Sequence, residues 1–301
     1  IPEGIKELDR TFEFCTSLSE ITLPKSLETL FGAFIRTSLT HIDIPDNVHT
    51  IDSSFINTES LRTVNLGKGV KIITANAFEC TGLKSITIPG NVECIDEFAF
   101  NDCRYLEEVI IENGLTKIGT CSFESCPSLT KVTVPESIEY IEFFVFDNCP
   151  NLQYNVYEGM NYLGNEEKPY LVLCGTAGGT RLVAHPDTKI FAEQALFDNE
   201  NITEVEIGEN VTYIPPMALR GMDGVISATV SENNKTFYSV NNCIINRAEK
   251  SLVKAFNCSE IPSDGSVTFV DTAAFSNLGM LEVIYIPRGV ENMLINFDFC
   301  D

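Results

Sequence analysis

Three histidines, eleven cysteines and 43 carboxylates are the residues of this chain most able to do chemistry. His41 and His49 stand close together with Asp43 and Asp46 between them, a grouping that could ligate a metal ion or pass a proton. The spacing argues against both. His-Glu-x-x-His, a nucleophile elbow and a phosphate-cradling glycine loop are all missing from the sequence. His41 and His49 therefore read as exposed polar positions, and His185 as the residue before a turn proline, Pro186. The adjacent carboxylates Glu107-Glu108 and Glu166-Glu167 have no spacing of their own that would set an acid against a base. The expectation is a chain that is not an enzyme, with no catalytic residue, no metal and no cofactor.

The cysteines are regular. Cys80, Cys103, Cys126 and Cys149 follow one another at 23-residue steps. Thr58, Thr37 and Cys15 continue the series upstream, and the column is expected three residues after a phenylalanine. A site shared by Cys and Thr suits a small side chain that fills space and donates a weak hydrogen bond to a turn carbonyl. Stacked positions with parallel side-chain vectors do not favour the disulfide torsion, so buried free thiols are expected. Zinc is not indicated, because no Cys-x-x-Cys pair occurs. Cys94, Cys121, Cys174, Cys243 and Cys258 fall off this column.

The element that must position these residues is a repeat. Leu-x-x-Val/Ile-x-Ile-Pro-x-x-Val/Ile-x-x-Ile-x-x-x-Ala-Phe-x-x-Cys recurs, most clearly over 83–103, 106–126 and 129–149, with 21 to 23 residues between adjacent full copies. That period predicts a leucine-rich-repeat solenoid: a parallel β-sheet on one face, short turns or 3₁₀ segments opposite, wound as a right-handed superhelix. Within one repeat, alternation such as Val109 and Ile111 predicts a short strand whose intervening polar residues face solvent. Pro24, Pro45, Pro89, Pro135 and Pro287 end the strand, because proline cannot donate to a ladder. A second apolar pair follows, such as Val92 with Ile95. Ala-Phe then places a large ring in the core.

The spacing predicts a single solenoid over 1–301. Its regular coils occupy about 1–152, a hairpin-like insertion about 153–181, coils about 182–225, an irregular hairpin segment about 226–266, and closing coils about 267–301. The first insertion carries Tyr154, Tyr157, Tyr162 and Tyr170, residues suited to a contact surface or to packing.

A net charge of −23 makes nucleic acid a poor partner and repels anionic membrane surfaces. No apolar run reaches the roughly 20 residues that span a bilayer. The chain opens on Ile1-Pro2-Glu3-Gly4, inside a repeat, which reads as a trimmed or partial protein.

Ile-x-Ile-Pro, Val-x-x-Ile and Ala-Phe-x-x-Cys, with the stretch Tyr162 to Leu173, resemble the BspA-like leucine-rich repeats of bacterial and protozoan surface proteins. The resemblance implies a secreted or surface-displayed chain, its targeting segment removed, with an adhesive or host-interaction role and no shared catalytic site. The expected function is a non-enzymatic scaffold that binds an extracellular protein or glycan. The alternatives are a structural stalk displaying another domain and a glycan-acting hydrolase, which would need paired carboxylates in a cleft. The expected contact positions on the exposed sheet face are Glu20, Thr22, His41, Asp43, Arg62, Asn65, Lys84, Thr87, Thr130, Lys131, Thr133, Glu204 and Glu206. The four insertion tyrosines add to them.

Overall fold

The computed structural model describes residues 1–258, 260–276 and 284–294. The chain forms two compact units, Ile1–Gln153 and Tyr154–Asp301. Each is a β-solenoid, and among the described residues no helix is present.

In the first unit each coil from His41 to Ile141 contributes two strands, one to the exposed face and one to a second ladder. The exposed face consists of two parallel sheets, one pairing His41–Asp43 with Thr63–Asn65, the other ordered Ser85–Ile88, Glu108–Ile111, Lys131–Thr133. Ile42 and Val64, then Ile86, Val109 and Val132, share one register and point inward. The second apolar pair of each repeat forms a ladder of its own. Glu7–Asp9, Thr29–Phe31, Thr50–Asp52, Ile72–Ile73, Cys94–Ile95, Lys117–Ile118 and Tyr140–Ile141 make one seven-stranded parallel sheet. Its central residues, Leu8, Leu30, Ile51, Ile73, Ile95, Ile118 and Ile141, lie in a single buried column. Strands of two or three residues cannot hold together alone, but here the five inner strands each bond a neighbour on both sides.

A third wall is built from turns. Phe12, Phe34, Phe55, Phe78, Phe100, Phe123 and Phe146 stack in order, with centroids 5.1 to 5.9 Å apart and planes within 17° of parallel. The rings from Phe34 to Phe123 are fully buried. Burying one such ring stabilises by about 1.5–3 kcal/mol, and each stacked contact adds about 0.5–1.5 kcal/mol. Each turn is bracketed by two left-handed residues four positions apart: Ser53 and Asn57, Asn76 and Cys80, Phe98 and Asp102, Cys121 and Ser125, Phe144 and Asn148. These conformations bend the chain round the ring and aim its N–H groups along the stack. Asn57, Cys80, Asp102 and Ser125 each donate to a carbonyl of the next coil at 2.9 Å.

The left-handed column corrects one sequence expectation. Cys80 is not on the interior cysteine column. It lies two residues after Phe78, not three, and takes the left-handed position, half-buried, beside Asp102. Thr81 fills the interior site, 3.2 Å from Cys103 Sγ. A 23-residue step overshoots here, because the coil from Phe78 to Phe100 has 22 residues and the step back from Cys103 lands on Thr81. From Thr37 onward the other column positions are buried as expected. Thr58 Oγ1 donates to the Phe34 carbonyl at 2.9 Å, and the thiols of Cys103, Cys126 and Cys149 donate to Phe78, Phe100 and Phe123 at 3.2–3.3 Å. Cys15, in the first coil, departs from that expectation and is exposed.

In the second unit both insertions have the same construction. Asn155–Tyr157, Met160–Leu163 and Val172–Thr176 form an antiparallel meander whose last strand pairs in parallel with Ile190–Phe191. Phe237–Val240, Cys243–Asn246 and Ser251–Ala255 repeat the pattern, the last pairing with Phe269–Val270. The first turn of each has two residues with positive φ, Glu158-Gly159 and Asn241-Asn242, the backbone form that suits the right-handed twist of a tight hairpin. Each meander also carries one register shift between its last two strands, at Asn161/Tyr162 and Ile244/Ile245. Between the insertions, Arg181–Val183, Glu204–Ile207 and Ser227–Val230 form a parallel face sheet.

Candidate recognition face

Strand alternation places the expected contact residues outward. Glu20, Thr22, His41, Asp43, Arg62, Asn65, Lys84, Thr87, Thr130, Lys131 and Glu206 are exposed, and Thr133 and Glu204 are half-buried. They do not form one chemical group. Lys131 is paired with Glu108 at 2.7 Å, while Lys84 and Thr87 face solvent just before and within Ser85–Ile88, on the far side of Glu108–Ile111. Arg62 folds back onto the carbonyls of Glu59 and Gly82 at 2.6 and 2.9 Å, with its guanidinium 5.6 Å from the Tyr105 ring. It clamps two coils more than it reaches outward.

The residues that do converge are those nearest the start of the chain. The backbones of 18–19 and 38–40 are bonded, Ser38 N–H to Leu18 and Thr40 N–H to Ser19. Beyond them the coils part. No backbone hydrogen bond joins 20–24 to 41–44 among the described residues, although His41–Asp43 is fully paired on its other side. The coils meet again where Asn47 Nδ2 donates to the Lys25 carbonyl at 2.7 Å. The parting opens a cavity of about 720 Å³ lined by Glu20, Thr22, Lys25, His41, Asp43 and Asp46 with Ile21, Leu23, Ile44 and Pro45. Ligand clefts fall in this size range and combine an apolar floor with a few fixed polar groups.

Those polar groups are held. His41 Nε2 lies 3.0 Å from Asp43 Oδ1, and its Nδ1 lies 2.7 Å from Thr63 Oγ1. A neutral ring protonated on Nε2 satisfies both contacts, donating to the carboxylate and accepting from the hydroxyl. Asn65 Nδ2 donates to Asp43 at 2.6 Å. This amide, followed by His41, holds the Asp43 carboxyl below the usual carboxylate range. The side chains are thus set before any ligand arrives. Thr63, Lys25 and Asp46 were not among the expected contacts. The same alternation that selected Asn65 would have selected Thr63, whereas Lys25 and Asp46 sit on the turn past the strand.

The second unit has a smaller counterpart. Glu206, Glu209 and Glu232 line a cavity of about 430 Å³ along the ends of its face strands. Arg181 spans Glu204 and Glu206 at 2.6 and 2.7 Å, so both expected carboxylates there are partly neutralised.

The insertion tyrosines separate into two kinds. Tyr162 departs from the expected contact role: it is fully buried, and burial pushes its phenol up to about 12. The register shift at Asn161/Tyr162 accompanies its ring turning into the core, where it packs edge-on to Tyr170 at 5.6 Å. Tyr170 stacks on His185 at 4.1 Å and Tyr157 meets the same imidazole edge-on at 4.7 Å. Tyr154, Tyr157 and Tyr170 remain half-buried. His185 is fixed from the far side by the Asp187 N–H, 3.0 Å from Nδ1. Among the described residues no group of His, Cys, Asp and Glu is placed to hold a metal ion. No described helix is long and apolar enough to cross a membrane.

The model of the BspA type leucine rich repeat region matches residues 1–93, 31–153 and 193–297, in six copies. A leucine-rich repeat protein from Bacteroides ovatus has the same fold, with a TM-score of 0.51 and 22% identity over 97% of this chain and 67% of its own. A leucine rich cell surface protein from Faecalibacterium prausnitzii is 19% identical over 77% of this chain and 71% of its own, with a TM-score of 0.30. The pneumococcal vaccine antigen PcpA is 15% identical over 90% of this chain and 71% of its own, also at 0.30. No curated protein matches in sequence. The period, the stacked phenylalanines and the extent of the family match agree: this chain belongs to the BspA-type leucine-rich repeat family.

Proposed function

We propose that the chain is a non-enzymatic recognition scaffold, secreted or displayed at the cell surface, that binds an extracellular protein or glycan in adhesion or host interaction. The observation that carries this reading is the parting of the coils at 20–24 and 41–44. It presents backbone polar groups, both signs of charge and a preset His41–Asp43–Asn65 network in one open cleft. Preset polar groups lower the ordering cost of binding. The shared repeat supports a scaffold role.

The experiment is a binding screen on arrays of matrix proteins and glycans at physiological salt, followed by titration of any hit with Asp43→Ala and, separately, Arg181→Ala. Binding that weakens at least tenfold in Asp43→Ala and persists in Arg181→Ala places the ligand in the first unit's cleft. The opposite pattern moves it to the second unit. Silence from the folded protein removes the recognition reading in favour of a spacer.

A further inference from the structure

Cys243 and Cys258 differ from the other described thiols. Cys103, Cys126 and Cys149 direct their S–H groups at phenylalanine carbonyls of an adjoining coil. Cys243 directs its S–H at another sulfur, Cys258 Sγ, 3.5 Å away, and Cys258 donates in turn to the Glu260 carbonyl at 3.0 Å.

The meander brings the two together. Cys243 opens the strand Cys243–Asn246 and pairs with Ala255, the last residue of Ser251–Ala255. Three residues later the chain has curled back, so that Cys258 covers the start of its neighbour strand. Their environments are unequal. Cys243 is fully buried among Ile245, Leu252 and Ile261, whereas Cys258 is half-buried at the edge of the same cluster. An accessible sulfur with a shielded sulfur in contact behind it is the arrangement that two-step exchange requires.

We propose that Cys243 and Cys258 are a thiol–disulfide exchange pair, with Cys258 as the attacking sulfur, Cys243 as the resolving sulfur and a small disulfide of the oxidised-glutathione class as co-substrate. In the first step the Cys258 thiolate attacks one sulfur of the small disulfide. A Cys258–glutathione bond forms, and the first glutathione leaves as thiolate. In the second step Cys243 loses its proton to solvent and attacks Cys258 Sγ, forming the Cys243–Cys258 bond and releasing the second glutathione. Two protein thiols are oxidised and one small disulfide is reduced to two thiols. The hydrogen bond from Cys243, opposed by burial, pulls the Cys258 thiol down to about 6, while the same bond and burial push Cys243 upward. The thiolate therefore forms on the sulfur that solvent reaches. Among the column thiols, Cys126 and Cys149 also interact, the bond between them raising Cys126 and lowering Cys149, but both are buried, so that pair offers no open sulfur to a small disulfide. Burial, the largest of several causes, pushes Cys103 up to about 11.

The test treats the native full chain with oxidised glutathione at neutral pH, quenches by alkylation, and reads intact mass and peptide map. The expected product has lost two hydrogens, retains no glutathione, and is cross-linked between Cys243 and Cys258, with two glutathiones released. Cys243→Ala should stop at a lasting glutathione adduct on Cys258, and Cys258→Ser should give neither product there. Should Cys243→Ala fail to fold, the wild-type map still decides the matter. A lasting adduct on wild-type Cys258, first modification at a column cysteine, or no reaction where the urea-unfolded chain reacts would each overturn the proposal.

Discussion

The thiol of Cys126 donates to the carbonyl oxygen of Phe100, 3.3 Å away and 26 residues back along the chain. The bond ties one coil's side chain to the previous coil's backbone at the base of the stacked ring. Serine can make the same bond and valine cannot. Cys126→Ser should stay within about 1 kcal/mol of the parent, whereas Cys126→Val leaves a buried carbonyl unpaired and should cost about 1–3 kcal/mol. Chemical denaturation of the two variants side by side measures the difference. Equal stability would remove the bond from the account of the fold.

Phe100 has a ring partner on each side, Phe78 at 5.3 Å and Phe123 at 5.1 Å. Phe100→Ala should cost about 3–5 kcal/mol. Because coils share their stability with nearest neighbours, amide exchange should quicken in the adjoining coils as well as at the mutated one. A midpoint within about 1 kcal/mol of the parent would contradict the ring column.

Ser125 adopts φ of 57° and donates its N–H to Asp147. A β-branched side chain tolerates that backbone badly, and glycine adopts it freely. Ser125→Val should lose about 1–3 kcal/mol, while Ser125→Gly should be neutral or gain a few tenths of a kcal/mol. Thermal melts of the pair check the sign. A valine variant that matches the parent would show that the turn is not held left-handed in solution.

Asp271 is mostly buried, and burial followed by the nearby Glu249 carboxylate pushes its carboxyl up to about 6. A carboxyl raised on folding binds its proton more tightly in the native state. This residue's contribution therefore falls as pH rises from about 4 to about 6, and is constant above that. After allowance for partial exposure the penalty is about 1–2 kcal/mol. Asp271→Asn should be more stable than the parent at pH 7 by that amount, and the gap should close by about pH 4. A difference that is flat across the range would show that Asp271 is solvated.

The repeat, the proline turn, the phenylalanine column and the outward alternation of the face could all be read from the chain, because each depends on residue type at a fixed interval. The seven-stranded ladder was visible only as an apolar pair, since strands of two or three residues are too short to show a period. The left-handed turns were hidden because Arg36, Cys80, Phe98 and Phe144 occupy positions where glycine or asparagine would have announced them. Cys80 misses the interior column for a different reason, a coil one residue short of the 23-residue step. The hairpin turn Glu158-Gly159 is marked by a single glycine, a weaker signal than the longer loop of that insertion, and nothing in the residue types foretells the register shift that accompanies Tyr162 turning inward. The cleft beside His41 depends on hydrogen bonds that are not made, and no residue type marks those. The meeting of Cys243 and Cys258 depends on where a meander curls back.

Nearly every backbone bond between coils of the first unit joins residues about one repeat apart, as Phe55 N–H to Ala77 and Asn57 N–H to Glu79 do. Such bonds run along the stacking direction, so a pull in that direction loads them in tension and not in shear. The rungs would then yield in turn. Each freed coil of about 22 residues would pay out roughly 75 Å of extended chain, giving a tether that lengthens stepwise under load while the coils still stacked keep their shape.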